Sequence, residues 1–335
     1  MSRLRSLGRW ETGLLVMIAI VVVVGQAISP DLLSTYNLQT IAINNTVLAC
    51  LALGVAPVII AADIDISIAS SLALCGVFMA KLWGGGMNIW LAALCAIGLG
   101  GVLGLINGVF VVLLDLPSLA VTLGTMGAYT GVAFLILKGA AIVDFPNGLL
   151  NLGSGLIPGT QIEISSVVVL GLLVGLTFLV HASPYGRSLF AVGANRQAAL
   201  FSGIAVIRTR MIAFVIAGVF AALAAIFYLG NYDSVQANIA SDQLLPAITA
   251  VILGGVSAYG GTGTIPGVVL AVILLSLLES ALGLAGVSGQ AQTIAVGVLL
   301  IIAIGAGAVI QALPGMRRAT RRVPDSETGE LGVGH

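Results

Sequence analysis

Charge is what this chain has least of: 13 basic and 13 acidic residues make up only 8% of its 335 residues, against about 25% in a soluble domain. Aromatic residues supply 6%, too few to suggest a site built on stacked rings. Histidine occurs twice, His181 at the end of an apolar run and His335 at the terminus. That leaves no visible histidine-based metal centre or catalytic triad, and an enzyme within the membrane is the least favoured class. Cys50, Cys75 and Cys95 sit in apolar runs without CxxC or metal-like spacing, so they read as small buried hydrophobes. A nucleotide-binding Walker A loop is excluded as well, because it needs a lysine followed by serine or threonine, whereas Lys81 precedes Leu82 and Lys138 precedes Gly139.

What the chain does have is apolar sequence, 59% of it, with a mean hydropathy of +1.15. Crossing ~30 Å of hydrocarbon at ~1.5 Å per residue takes about 20 apolar residues. Runs near that length recur at 13 to 29, 40 to 62, 89 to 114, 118 to 137, 165 to 181, 211 to 230, 265 to 286 and 291 to 311, and two shorter ones at 66 to 80 and 244 to 258. Only helices and closed barrels pair every backbone group inside a bilayer, and barrel strands would alternate in short segments. The expected fold is therefore an all-α polytopic membrane protein of about ten transmembrane helices. Its 44 glycines point to close helix packing, since small residues let backbones approach where no hydrophobic force draws helices together.

Basic residues mark the cytoplasmic side of short membrane loops. Arg3, Arg5 and Arg9 precede the first run, Arg187, Arg196, Arg208 and Arg210 share the loop after 181, and Arg317, Arg318, Arg321 and Arg322 follow the last run. Ten spans threaded from a cytoplasmic N-terminus put all three clusters inside, both termini included, and place Asp31, Asp144, Glu163, Asp233 and Asp242 outside. The expected organisation is a cytoplasmic segment 1 to 12, a membrane domain 13 to 313 with a cytoplasmic loop 182 to 210, and a disordered cytoplasmic tail 314 to 335. The N-terminus also resembles a secretory signal, with a small-residue site at "GQA". Cleavage there would leave an outer N-terminus without a basic flank, so a retained first helix is the expectation.

Two interruptions stand out. In "IIAADIDISIASS" (59 to 71) Asp63 and Asp65 fall inside apolar sequence, and each carboxylate at the centre of a membrane helix costs ~3 kcal/mol. A break is expected, with one helix ending near Ala62, the next beginning at Ile66, and Asp65 as its N-cap accepting from the N–H of Ser67 or Ile68. Asp63 is expected to border a polar cavity or gate. The second interruption, "AYGGTGTIPG" (258 to 267), offers Thr264 as an N-cap with Pro266 just inside the next helix. It reads either as part of a transport path or as a tight cytoplasmic turn.

Inside the cytoplasmic loop, Asn195 reads as an N-cap, "RQAALFS" as two helical turns and Gly203 as the residue that stops them. A helix this short gains order by docking, onto either a partner or the bilayer surface. Among intramembrane polar residues, Asn44, Asn45, Asn107, Thr122, Thr125, Tyr129 and Gln243 are candidates to line a path for a neutral solute, although any one of them could serve only as a helix-to-helix hydrogen bond. Glu279, in "LSLLESALG", joins Asp63 and Asp65 as a possible ion site of a secondary transporter.

Four blocks, taken in order, resemble the permease subunits of ribose-type ATP-binding-cassette sugar importers: "VIIAADIDISIASSLALCG", "LPSLAVTLGTMGAYTG", "YGRSLFAVGANRQAALFSGI" and "LLPAITAVILGGVSAYGGTGTIPGVVLAVIL". The last block looks nearest to permeases for autoinducer-2, rhamnose and related pentoses or polyols. The resemblance implies a non-enzymatic subunit of the bacterial inner membrane that pairs with a second permease, itself or a paralogue. A cytoplasmic ATPase that binds ATP and magnesium would sit below and a periplasmic or lipid-anchored solute-binding protein above, with membrane lipid around it, no cofactor in this chain and no nucleic-acid partner. By carry-over the 195 to 203 helix is the coupling helix, with Arg187, Gly193, Asn195, Arg196, Ala199, Leu200 and Gly203 its contact or shape-determining residues. Related permeases also move branched-chain amino acids or nucleosides. One departure from the family pattern is "AADID", with alanines where glycines are usual, which is expected to stiffen the break.

Overall fold

Each long apolar run becomes a helix, as backbone pairing in hydrocarbon requires. The computed structural model describes residues 2–312, with side chains for 10–305. The expected tail at 314 to 335 lies outside the described residues. In chain order the elements are α1 (Ser2–Ile28), α2 (Thr35–Ile60), α3 (Ile68–Gly84), α4 (Ile89–Gly108), α5 (Ser118–Leu137), β1 (Ile142–Val143), α6 (Asn147–Ser154) and α7 (Ile164–His181). They continue with α8 (Pro184–Ala194), α9 (Arg196–Phe201), α10 (Val206–Tyr232), β2 (Ser234–Val235), α11 (Leu244–Leu253), α12 (Ile265–Leu284) and α13 (Gly289–Ala312). A π-helical turn, Val109–Leu113, prolongs α4.

Among the described residues, seven helices are long and apolar enough to cross a membrane: α1 from Trp10, α2, α4 with its π turn, α5, α7, α10 and α12. Three more apolar stretches are shorter: α3, Ser241–Leu253 containing α11, and the Gly289–Gly305 part of α13. The chain is a polytopic, almost wholly helical membrane protein.

Helix α2 is the hub. It is the most buried of the long spans, packed between α10, α12, α11 and α7. The glycines explain how helices come so close. Where α4 crosses α10, a Cβ on Gly100 would lie 2.3 Å from the Gly218 carbonyl oxygen and one on Gly104 2.2 Å from that of Phe214. Only hydrogen fits there, so the two helices pack backbone against backbone. Cys50 and Cys75 are buried in this core and Cys95 is half-buried, all three as free thiols.

The element ends segregate into two sets. At one end, Gly261 N–H donates to the Ile60 carbonyl at 2.9 Å, Ile64 N–H to Ser118 Oγ at 3.1 Å, Trp10 Nε1 to the Leu253 carbonyl at 2.9 Å and Ile265 N–H to His181 Nε2 at 3.1 Å. At the other, β1 pairs antiparallel with β2, Ile142 opposite Val235, Phe145 N–H donates to Asp233 Oδ1 at 2.8 Å, and Asn37 Nδ2 donates to Ser280 Oγ at 2.9 Å. The β1–β2 pair and α6 have no counterpart in the sequence-based reading, because segments this short carry no periodic signal.

Candidate functional site

The break expected after Ala62 is present, and its chemistry is more elaborate than a cap. Helix α2 ends in a reversal: Ala62 N–H donates to Ile59 O at 2.9 Å and Asp63 N–H to Val58 O at 3.1 Å. Ala62 itself takes φ +62°, the left-handed region that costs a residue with a Cβ roughly 1–2 kcal/mol. That geometry explains why glycine suits this position. Here alanine is held in it by its surroundings, with Gly260 packed against it.

Asp63, expected to border a polar cavity or gate, faces an arginine. It is buried, and Arg210 grips it with both arms, Nε donating to Oδ2 at 2.7 Å and Nη2 to Oδ1 at 2.9 Å. The loop reading of Arg210 is likewise corrected, since α10 begins at Val206 and carries Arg210 into its first turns, where the side chain is 5% exposed. Bidentate pairs of this kind are the stronger hydrogen-bonded ion pairs. A second guanidinium approaches from the segment between α7 and α10: Arg196 Nη2 lies 3.5 Å from Asp63 Oδ1 while its side chain stays 41% exposed. One carboxylate thus joins the end of α2, the start of α9 and the start of α10.

Backbone contacts tighten the same junction. A Cβ on Gly193 would fall 1.8 Å from the Ile60 carbonyl oxygen and 2.6 Å from Gly261 N. The end of α8, the break after α2 and the glycine-rich break before α12 therefore meet at one point. Thr264 caps α12 as expected, its Oγ1 accepting from Gly267 N–H at 3.2 Å, with Pro266 in the first turn.

The segment between α7 and α10 holds two helices rather than one, α8 and α9. Asn195 Oδ1 accepts from Ala198 N–H at 2.9 Å, the capping bond expected from the sequence. Gly203 ends α9 at φ +78°, with Ile204 N–H donating to Ala199 O at 3.1 Å. Ala199 is buried with Val192 and Val206, which anchors α9 to its own chain. Leu200 and Phe201, 61% and 88% exposed, point away, and Arg187 is exposed on the preceding helix, α8. Tyr185, whose hydroxyl donates to the Thr209 carbonyl at 3.4 Å, has its phenol pushed above the usual range by burial.

The polar residues expected to line a single path divide into two groups. Asp65, Asn107, Thr122 and Tyr129 are buried together around the first break. Asp65 Oδ1 accepts from Ser67 N–H at 2.9 Å and from Ser67 Oγ at 2.6 Å. The helix itself starts at Ile68 with Ser67 at its cap position, so Asp65 braces the turn ahead of α3 rather than serving as the cap. Asn107 Nδ2 donates to Ser67 Oγ at 2.7 Å, and the Tyr129 hydroxyl donates to Leu103 O at 3.1 Å and Asn107 Oδ1 at 3.4 Å. Thr122 Oγ1 donates to Ser118 O at 2.8 Å, within reach of Ile64 O at 3.2 Å, and Thr125 Oγ1 donates to Thr122 O at 3.3 Å. These side chains stitch α3, α4 and α5 to the break.

The second group, Asn44, Asn45 and Glu279, lines an open polar cleft of about 260 Å³ together with Asn37, Thr40, Ser276, Ser280 and Gln292. Sequence reasoning missed most of these partners. Gln243, half-buried in a single 3₁₀ turn, belongs to neither group. No group of three or more His, Cys, Asp or Glu side chains able to hold a metal ion occurs among the described residues.

Comparison with known proteins adds a family. The model of the family described as branched-chain amino acid transport system / permease component matches residues 37–304. Over 305 residues the chain is 32% identical to the autoinducer 2 import system permease protein LsrD of Escherichia coli, covering 88% of this chain and 91% of that one. The LsrD protein of Shigella flexneri matches to the same extent. No solved structure matches.

Proposed function

The chain belongs to that permease family, and we propose that it forms half of the membrane path of an ATP-driven, binding-protein-dependent importer for a small neutral polyhydroxylated solute such as a monosaccharide or an autoinducer-2-like molecule. It is a membrane-embedded transport subunit and not itself an enzyme. Its site is the bacterial inner membrane. ATP and magnesium would be bound by a cytoplasmic ATPase, a solute-binding protein would deliver cargo from outside, and a second permease, identical or paralogous, would complete the path. Counting α3, α11 and α13 with the seven long spans gives ten passes with both termini cytoplasmic. The segregation of contacts into two ends supports that threading.

One observation carries the assignment. Helix α9 presents Leu200 and Phe201 outward while its first residue, Arg196, reaches the carboxylate at the break after α2. A push on α9 by a docked ATPase would therefore be felt at the helix break, where a bundle with two arrangements could switch the side it opens to. Replacing 195 to 203 with a Gly-Ser linker should abolish both transport and ATPase co-purification and leave membrane insertion intact. Retained uptake would overturn the assignment.

The description of the matching family supports a second cargo, branched-chain amino acids. Binding assays on the accompanying solute receptor separate the two, because amino-acid binding would contradict the polyol reading. A self-sufficient ion-coupled transporter is less well supported: Asp63 is neutralised by Arg210 and Asp65 is occupied by Ser67. Uptake that survived ATP depletion but collapsed with an uncoupler would favour it.

A further inference from the structure

The cleft between α2, α12 and α13 is walled by polar groups whose hydrogen-bonding capacity the fold leaves half used. Asn44 Oδ1 accepts from the Tyr232 hydroxyl at 3.2 Å, which leaves its Nδ2 without an acceptor among the described residues, and Asn45 faces Ser276 Oγ, whose proton goes to Val272 O at 2.7 Å. Gln292 Nε2 donates to Val287 O at 2.9 Å, which leaves its Oε1 without a donor among them. Glu279, half-buried, faces no cation and accepts no hydrogen bond among the described residues.

Unused donors and unused acceptors thus border one volume of about 260 Å³. A bare cation wants acceptors alone and would be repelled by amide N–H groups. An anion would meet the unpaired carboxylate with nothing positive to offset it. A hydroxyl both donates and accepts. The volume sits just below the ~300 Å³ lower bound of drug-sized pockets, and so suits a sugar-sized molecule.

We propose that this cleft is a binding subsite for a neutral polyol, with Glu279 accepting hydrogen bonds from its hydroxyls and the Asn44 amide donating to it. The same carboxylate makes the subsite selective against anionic analogues. The proposal rests on the importer reading above and adds to it the position and chemistry of a solute contact.

The test uses the complete importer in proteoliposomes with its ATPase and binding protein. They are offered a mixture of neutral sugars and polyols, the corresponding sugar phosphates and uronic acids, and branched-chain amino acids, and the accumulated solutes are read by mass spectrometry. Glu279→Gln removes charge at nearly constant shape and breaks no hydrogen bond within the described chain, while Asn44→Ala removes one amide. Membrane insertion and ATPase co-purification report on folding. At subsaturating solute both variants should lose neutral-solute uptake by about tenfold or more, with recovery at high concentration, and Glu279→Gln should narrow the gap between neutral and anionic solutes. Wild-type concentration dependence in both variants would overturn the subsite and leave the importer standing. Wild-type vesicles that accumulate only amino acids, or nothing, would overturn the polyol reading itself.

Discussion

Asp63 and Arg210 stand 147 positions apart in the chain and meet in a buried bidentate pair, 2.7 and 2.9 Å. The pair satisfies a carboxylate that the break after α2 would otherwise leave charged and dry. Arg196, 3.5 Å away and partly exposed, makes the same carboxylate the meeting point of α9 with the break after α2.

Arg210→Met should be severely destabilising. It leaves Asp63 buried without its main counter-charge, at a cost of about 3–5 kcal/mol. Adding Asp63→Asn should recover part of that loss, since an amide is cheaper to bury than an unpaired carboxylate. Thermal unfolding of the purified protein in detergent measures both, and a double variant no more stable than the single one would contradict the pairing.

Arg196→Gln should behave differently. Its side chain is 41% exposed, and exposed ion pairs contribute about 0–1 kcal/mol, so the unfolding temperature should barely move. Transport driven by ATP should fall if the third arm carries motion from α9 to the break. Equal uptake by variant and wild type would confine Arg196 to a passive role.

Gly193→Ala should disrupt the junction although it adds one methyl, because the new Cβ would fall 1.8 Å from the Ile60 carbonyl oxygen. Gly203→Ala meets open space but must hold φ +78°, which costs about 1 kcal/mol. ATPase co-purification should be lost in the first and largely kept in the second.

Ala62→Gly is expected to stabilise. The native φ of +62° is strained for alanine, and glycine relieves about 1 kcal/mol there. The same change removes a Cβ packed against Gly260. A rise in unfolding temperature would show that strain outweighs that contact, and a fall would show the reverse.

Phe201→Ala should leave stability unchanged, since the ring is 88% exposed, and should weaken ATPase binding, measured by co-purification. Equal recovery of the ATPase with variant and wild type would show that Phe201 is not part of the docking face.

The long apolar helices and several of their stops were legible in the sequence alone, whereas α6, α8 and the early start of α10 at Val206 were not. An apolar run in hydrocarbon has no other way to pair its backbone, and caps such as Asn195 and Thr264, or the stop at Gly203, act over three or four residues and are readable locally. The same local signals placed α9 outside the spans and marked the break at Asp63. What those features touch was settled only by packing. Hydropathy does not say which faces of the apolar helices meet, so it could not assign Arg210 to Asp63, nor bring Asn44 and Asn45 of α2 to Glu279 of α12. For the same reason the sequence could not say that Asn107, Thr122 and Tyr129 hydrogen-bond around the first break: a polar side chain on an apolar helix has the same sequence signature whether it meets a solute or another helix.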